Sequence, residues 1–454
     1  MNTYIIVGVI LVVIVALLLL TNKKLIETLK NIYKIEELRK RILFTLGLLL
    51  IFRLGSFVTL PGVDHGALAN AMSGTQDGLL GLLDVFSGGA FSQASIFALG
   101  VMPYITASII IQLMGIMVPY FRKMQREGES GRRKMNQWTR FLTIAVLVLQ
   151  APAYLKGTVM GGFSGGAGAV AVADSTFLLT STIILIAGTM FVMWLGEKIT
   201  DKGIGNGISL IIMIGIVARL PQAFLFELSS KLEGSAGSII MLIVEIVFLA
   251  MVFMLAIAIV QAVRKIPVQY AKRIVGNKQY GGVRQYIPLK LNAANVMPII
   301  FAQALMFIPG IIWPNGTFSD IQGFGYNFTL AVLVIAFTYF YTAIIVNPQM
   351  MADDMKRNGG FIPGVKPGKS TVTYIDNIMT RITLPGSIFL ALITVLPAIA
   401  MTLGISQGFA YFFGGTSLLI MVGVVLDTLK QIESYLLMRH YDGLMKTGRI
   451  QGRY

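Results

Sequence analysis

The chain has 454 residues, of which 55% are hydrophobic and only 13% charged, and its formal net charge is +16. Soluble domains carry about 25% charged residues, so a mean hydropathy of +0.76 assigns most of this chain to lipid, as an all-α polytopic membrane protein. Cysteine is absent and the two histidines, His65 and His440, lie far apart, which excludes disulfides and Cys-ligated metal and argues against a histidine metal cluster or triad.

Apolar runs near the 20-residue length that crosses a bilayer fall at 4–20, 41–60, 96–117, 139–156, 176–196, 207–222, 239–262, 294–313, 328–347, 382–402 and 408–428. The first run has no charge before it, and Lys23 and Lys24 follow it. Leu17–Leu20 continue into Thr21-Asn22 without the small-residue site of a cleaved signal, so 1–24 is expected to hold an uncleaved span with its N-terminus outside. Leu25, Leu29, Ile32, Ile35 and Leu38 share a helical face. Residues 25–41 are therefore expected to lie along the cytoplasmic interface, with their Lys and Arg at the headgroups.

Phe86–Pro119 differs from a plain lipid anchor. Gly88, Gly89, Gly100, Gly115 and Pro103 interrupt it, and hydroxyls recur at Ser92, Ser95, Thr106 and Ser108. Loosened backbone is tolerated in a bilayer only where protein or a water-filled cavity satisfies it, and small residues let neighbouring backbones approach. The segment reads as an inner wall with a basic loop directly behind it.

All but four of the 37 Lys and Arg fall in 21–41, 119–140, 197–206, 263–292, 348–381 and 429–454. The positive-inside rule makes that side cytoplasmic, and places the C-terminus there. The four left over are Arg53, Lys156, Arg219 and Lys231. Residues 122–134 (RKMQREGESGRRK), 263–292 and 348–381 are read as cytoplasmic loops, and topology signalling alone would account for their charge. Connections within a bundle are typically about 2–8 residues, yet two of these run to about thirty. Loops that long and basic, with Tyr270, Tyr280 and Tyr286 interleaved, suit docking of RNA or of an acidic protein surface.

Pro363–Ser370 (PGVKPGKS) falls one residue short of a phosphate-binding loop, because Pro363 takes the first glycine position. Pro363 and Pro367 also remove two N–H donors that such a loop needs. Nucleotide binding is not expected there, and any ATP-driven step has to be powered by another chain. Among intramembrane charges, each a functional hypothesis, Glu245 and Arg53 lie inside spans, while Asp427 and Glu197 sit near helix ends. Only Glu245 is placed as an ion-coupled carrier would need, and pairing with a neighbouring helix explains it equally well. A secondary carrier is the alternative reading.

Phe86–Leu113 resembles the second-helix region of the SecY family, the central channel subunit of the bacterial Sec protein translocase. The likeness continues in order through GESGRRK at 128–134, MWLGEKITDKGIGNGISLI at 193–211, IPLKLN at 287–292 with Pro298 beyond it, and YFFGGTSLLI at 411–420. It implies ten transmembrane helices in two inverted halves, 42–222 and 223–428, closed like a clamshell around a pathway. Residues 1–24 then form an extra N-terminal helix and 429–454 a cytoplasmic tail.

The implied function is a passive protein-conducting channel, not an enzyme, in the bacterial cytoplasmic membrane. It would move unfolded secretory polypeptides across and release hydrophobic segments laterally, driven by the SecA motor ATPase or the translating ribosome. The other partners implied are SecE-like and SecG-like small membrane subunits, signal sequences and anionic lipid, with no DNA, cofactor, metal or catalytic residue. A role in insertion alone would leave secretion of soluble proteins intact.

By the same resemblance the apolar pore ring falls on Val101, Ile105, Ile212, Ile300 and Ile420, of which the first two share a helix face. Leu79–Ser95 is the plug, with Leu83, Asp84 and Phe86 in it and Gly88-Gly89 as a hinge into a helix that begins near Ser95. The lateral gate separates 96–117 and 139–156 from 294–313 and 328–347, and carries Thr106, Gln112, Asn295 and Gln303. Motor or ribosome binding falls on Arg264, Lys265, Lys272, Arg273, Lys278 and Arg284 in one long loop and on Lys356, Arg357 and Lys366 in the other. Asn277-Lys278 and Lys366 stand where the family usually has arginines, keeping the charge at Lys278 and Lys366 but not the bidentate fork.

Overall fold

The computed structural model describes residues 35–64, 68, 79–160, 174–232, 239–270, 273–275, 278–280, 284–294, 296–312 and 322–447. The expected 4–20 span and the interface helix up to residue 34 lie outside these. Helices α1 (Glu36–Gly55), α2 (Leu79–Ser87), α3 (Met102–Met117), α4 (Pro119–Arg126), α5 (Glu129–Tyr154), α6 (Asp174–Lys202), α7 (Gly207–Leu232) and α8 (Ile239–Gln261) come first. Strands β1 (Val263–Tyr270), β2 (Arg273–Val275), β3 (Lys278–Tyr280) and β4 (Arg284–Lys290) follow, then α9 (Met297–Ile312), α10 (Phe324–Ile345), α11 (Pro348–Arg357) and β5 (Gly360–Phe361). Helices α12 (Lys369–Thr402), α13 (Gln407–Ala410) and α14 (Gly415–Thr447) complete the described chain.

Among the described residues seven helices are long and apolar enough to cross a membrane, or eight if the sharply bent α3–α4 pair counts as one span. The resemblance implies ten. Helix α1 opens on charged residues and α9 has only 16, short of the roughly 20 residues that cover the hydrocarbon core. Prolines shape the elements by position: Pro119 starts α4 after an extended Val118, whereas Pro152 sits inside α5 just before a π-helical turn at Leu155–Val159. Helix α7 continues through Pro221 well beyond the expected 222, and α12 begins at Lys369 rather than 382. Apolar side chains such as Ile243, Val247, Met251 and Met254 stay exposed along α8, as contact with lipid requires.

The chain divides into two compact units. One runs to Phe226 and takes up the chain again at Val424; the other is Glu227–Gly423. In the first, Phe91, Ala94, Ala98, Ala151, Tyr154, Leu155, Phe177 and Leu185 form one buried cluster. The turn between α6 and α7, inside the GEKITDKGIGNG stretch, is tied down on three sides. Thr45 Oγ1 accepts from Ile204 N at 3.1 Å, Gln431 Oε1 from Gly205 N at 2.8 Å, and Thr200 Oγ1 from Gly207 N at 2.9 Å. A methyl group on Gly207 would collide with the Gly196 carbonyl, so that motif is a packing requirement of the α6–α7 corner.

In the second unit, the two stretches read as loops are folded. β1 pairs antiparallel with β4 from Val263↔Lys290 to Gln269↔Arg284, and with β5 at Gln269↔Phe361 and Tyr270↔Gly360. The sheet order is β4-β1-β5, and β2 and β3 pair in a separate two-stranded ribbon. The reason is visible in β1, where Ile266 and Val268 are buried while Lys265 and Pro267 face outward, the period-2 alternation of a half-buried strand. Ile266, Val268 and Leu289 bury against Met355, Ile362, Ile375 and Met379 of the other stretch, so β1 and β4 form one structure with 348–379.

Candidate functional site

In the first unit the segment expected to be the plug, 79–95, is a short helix followed by turns. α2 has nine residues, and at 1.5 Å per residue it covers roughly 13 Å, less than half the hydrocarbon core. It is stopped by Gly88 and Gly89, both in the left-handed region at φ 67° and 92°, which glycine alone adopts freely. Each also marks a close approach: a Cβ on Gly88 would come 2.8 Å from Gly215 Cα, and one on Gly89 3.0 Å from the Arg219 guanidinium.

The polar atoms here are bonded to one another, except that Arg219 Nε is buried without a hydrogen-bond partner among the described residues. Asp84 Oδ1 accepts from Ser92 N at 2.8 Å, and Oδ2 is paired with Arg219 Nη2. The same Arg219 Nη2 donates to Ser92 Oγ at 2.9 Å. Arg53 Nη1 donates to the Gly88 carbonyl at 2.7 Å, and its guanidinium lies 4.7 Å from the centroid of the Phe57 ring. Ser87 Oγ accepts from Phe91 N at 2.9 Å, while Tyr154 OH donates to Phe91 O at 2.7 Å. The helix expected to begin near Ser95 begins at Met102, because Ala94 and Gly100 take positive φ values of 45° and 51°. Instead, Ser95 makes a β-bridge with Thr59.

Of the ring positions, Val101 caps α3, and Ile105 N donates back to its carbonyl at 3.0 Å, so the two stack on one turn. Val101, Ile105 and Ile420 are buried; Ile212 and Ile300 are partly so. At the gate positions Thr106 Oγ1 donates to Met102 O at 3.1 Å, Gln112 Nε2 to Ser108 Oγ at 3.4 Å, and Gln303 Oε1 accepts from Thr416 Oγ1 at 3.3 Å. Asn295 lies outside the described residues. In the second unit Arg264, Lys265, Arg284, Lys356, Arg357 and Lys366 are all exposed, and the sheet joins their two stretches. Arg273 and Lys278 lie on the β2–β3 ribbon, Leu83 is on α2, and Lys272 is outside the described residues.

Sequence reasoning missed two roles. Arg219 was visible only as a cation left over from the charge asymmetry, and Arg53 also as a charge inside an expected span; both hold the α2 segment. Glu245 finds its partner in Lys231, another leftover, at 3.0 Å, with Glu227 on the other side at 3.4 Å. Among the described residues no three His, Cys, Asp or Glu side chains gather as a metal site would require.

A family model, SecY, matches residues 95–429. The chain is 43% identical over 433 residues to the protein translocase subunit SecY of Streptomyces scabiei, covering 91% of this chain and 98% of that one. It is 42% identical over 436 residues to the corresponding subunit of Mycobacterium tuberculosis, covering 90% and 97%. Among solved structures, a protein-conducting channel matches with a TM-score of 0.59 at 18% identity, covering 87% of this chain and 91% of that one. Sec61 in a canine ribosome–channel complex from the endoplasmic reticulum matches at 0.57 and 17% identity, with the same coverage. These last two likenesses speak to the fold alone.

Proposed function

The chain belongs to the SecY family of protein translocase subunits, and from that membership we propose that it is the passive channel through which unfolded secretory polypeptides cross the bacterial cytoplasmic membrane. It is a multi-pass protein of the bacterial membrane and forms a translocation channel. The observation that carries the finer reading is α2: an apolar nine-residue helix that cannot span, seated among spans and turned back by two left-handed glycines. A short re-entrant helix of this kind is what a removable seal requires. The ring of Val101, Ile105, Ile212, Ile300 and Ile420 then acts as a gasket, because apolar side chains hold no hydrated ion and a narrow apolar neck dewets.

Hydrophobic segments leave sideways past Thr106, Gln112, Asn295 and Gln303. The exposed basic residues of the cytoplasmic sheet and its neighbours dock SecA or the ribosome, which supplies the driving energy, and anionic lipid lines the same basic side. Small SecE-like and SecG-like subunits complete the assembly, and the C-terminus is cytoplasmic.

Replacing Ile105, Ile212 and Ile300 together with glycine tests the gasket. Ion conductance through reconstituted protein should rise; an unchanged value removes the ring assignment. Depletion should halt secretion of a soluble exported protein, which separates this reading from insertion alone. Proteoliposomes should show no saturable small-solute uptake, which separates it from a carrier.

A further inference from the structure

Two helices reach the end of α2 with a charged side chain each. Arg219 projects from α7, a helix long and apolar enough to span, and Arg53 from α1, inside the expected 41–60 run; an unpaired charge in such a setting is expensive. Arg219 is paired with Asp84, and these side chains are 21% and 13% exposed. One nitrogen, Arg219 Nη2, also holds Ser92 Oγ, while the other Asp84 oxygen accepts from Ser92 N. A single guanidinium therefore pins a closed loop running from Asp84 to Ser92.

Arg53 takes the carbonyl of Gly88 in the middle of that loop. Beneath it Gly215 lies one helical turn before Arg219 on the same face of α7. A Cβ there would come 2.8 Å from the Phe86 carbonyl, so the segment rests directly on the α7 backbone. Gly215 is the seat and Arg219 the clasp.

We propose that Arg219 and Arg53 are the positioning residues that latch the plug closed, Arg219 through the Asp84 carboxylate and Arg53 through the Gly88 carbonyl. The inference rests on reading 79–95 as the plug. Removing Asp84 from its seat strands the Arg219 guanidinium without its counter-ion, and separating a partly buried pair is costly because each charge is left uncompensated. The latch thus sets how strongly a substrate must compete before the channel opens. Closure does not rest on apolar contacts alone.

The test is resting ion conductance of the reconstituted translocase carrying Asp84→Asn, Arg219→Gln, or the exchange of Asp84→Arg with Arg219→Asp. Each single change should raise conductance about tenfold, the factor set by losing roughly 1.4 kcal/mol of closed-state preference, and the exchange should bring it back toward the parent. Gly215→Ala keeps every charge and pushes a methyl group at the Phe86 carbonyl; it should also raise conductance. As a second readout, Ser87→Cys introduces the only thiol in a cysteine-free chain. Ser87 is 6% exposed, and a membrane-impermeant maleimide should label the cysteine at least severalfold faster when Arg219→Gln or Arg53→Gln is added. Parent-like conductance and labelling in all of these variants would overturn the latch. Deleting 79–95 is the control: if that deletion leaves conductance at the parent level, the plug reading itself fails, whereas a leaky deletion beside silent point variants rejects the latch alone.

Discussion

The ammonium group of Lys231 lies 3.0 Å from a carboxylate oxygen of Glu245 on α8 and 3.4 Å from one of Glu227 a turn earlier on α7, and all three side chains are at most 2% exposed. Lys231 also donates to the carbonyl of Gly404 at 3.2 Å, while Glu227 accepts from Ser406 N at 2.9 Å. The acid that pointed toward an ion-coupled carrier is thus one corner of a buried tie between α7, α8 and the 403–406 turn. A carboxylate held this way by a fixed lysine is committed to structure, which weakens the carrier reading.

Lys231→Met should therefore destabilise the protein by about 3–5 kcal/mol, because it leaves two buried carboxylates with no cation. Glu245→Gln keeps an acceptor and leaves Glu227 with Lys231, so it should cost less. Thermal unfolding of the purified protein in detergent ranks the two, and the opposite order would show that the lysine is not the keystone.

The β4-β1-β5 sheet should behave as one cooperative piece. Ile266→Ala removes a side chain buried between β4 and the 348–379 stretch and should cost about 2–4 kcal/mol locally. Amide exchange should speed up at 263–270, 284–290 and 360–362 together, with the spans unaffected. Acceleration confined to β1 would mean that the two stretches are energetically independent.

Tyr154→Phe deletes a buried hydroxyl that donates to Phe91 O at 2.7 Å but keeps the ring packing at a centroid distance of 4.7 Å. Phe91 O keeps only the longer bond from Ala94 N at 3.3 Å, so losing the hydroxyl should cost about 0.5–1.5 kcal/mol, seen as a lower unfolding temperature. Because Phe91 follows the α2 turn directly, resting conductance should rise in the same variant.

Charge reversal of Arg264, Lys265 and Arg357 to Glu should leave the unfolding temperature close to the parent, since exposed substitutions usually change stability by within about 0.5 kcal/mol. Binding of SecA or of ribosomes to the reconstituted channel should weaken, and its salt dependence should flatten as steering charges are lost. Unchanged binding to both partners would remove the docking role from this face.

Most of the membrane architecture was legible from the chain, because transfer into lipid is a sum over local residues. The run at 176–196 falls within α6, 239–262 matches α8 to within one residue, and 139–156 lies in α5 and the π-helical turn that follows it. The fold was also legible through resemblance, since motifs such as GEKITDKGIGNG are long enough to be specific. The start of α3 was not. Ile96–Val101 reads as a continuous apolar helix, but the backbone turns left-handed at Ala94 and Gly100, Ser95 bridges to Thr59, and Ala94 and Ala98 sit in the buried cluster with Phe177 and Tyr154. The three-stranded sheet was equally hidden: β5 contributes only two residues, too few for any periodicity, and its partner lies some ninety residues earlier.

The sequence alone determined that this is a polytopic helical membrane protein, where its apolar runs fall, and how unevenly its positive charge is distributed among the stretches between them. Each follows from composition and order, without knowing what touches what. Only the tertiary structure decided what Arg53, Arg219, Lys231 and Glu245 do. A charge inside a span is unfavourable until it finds a partner, and sequence shows the charge but not the partner. Asp84 and Arg219 are 135 residues apart; folding brings them together, turning an exception to the charge pattern into the fastening of a short helix.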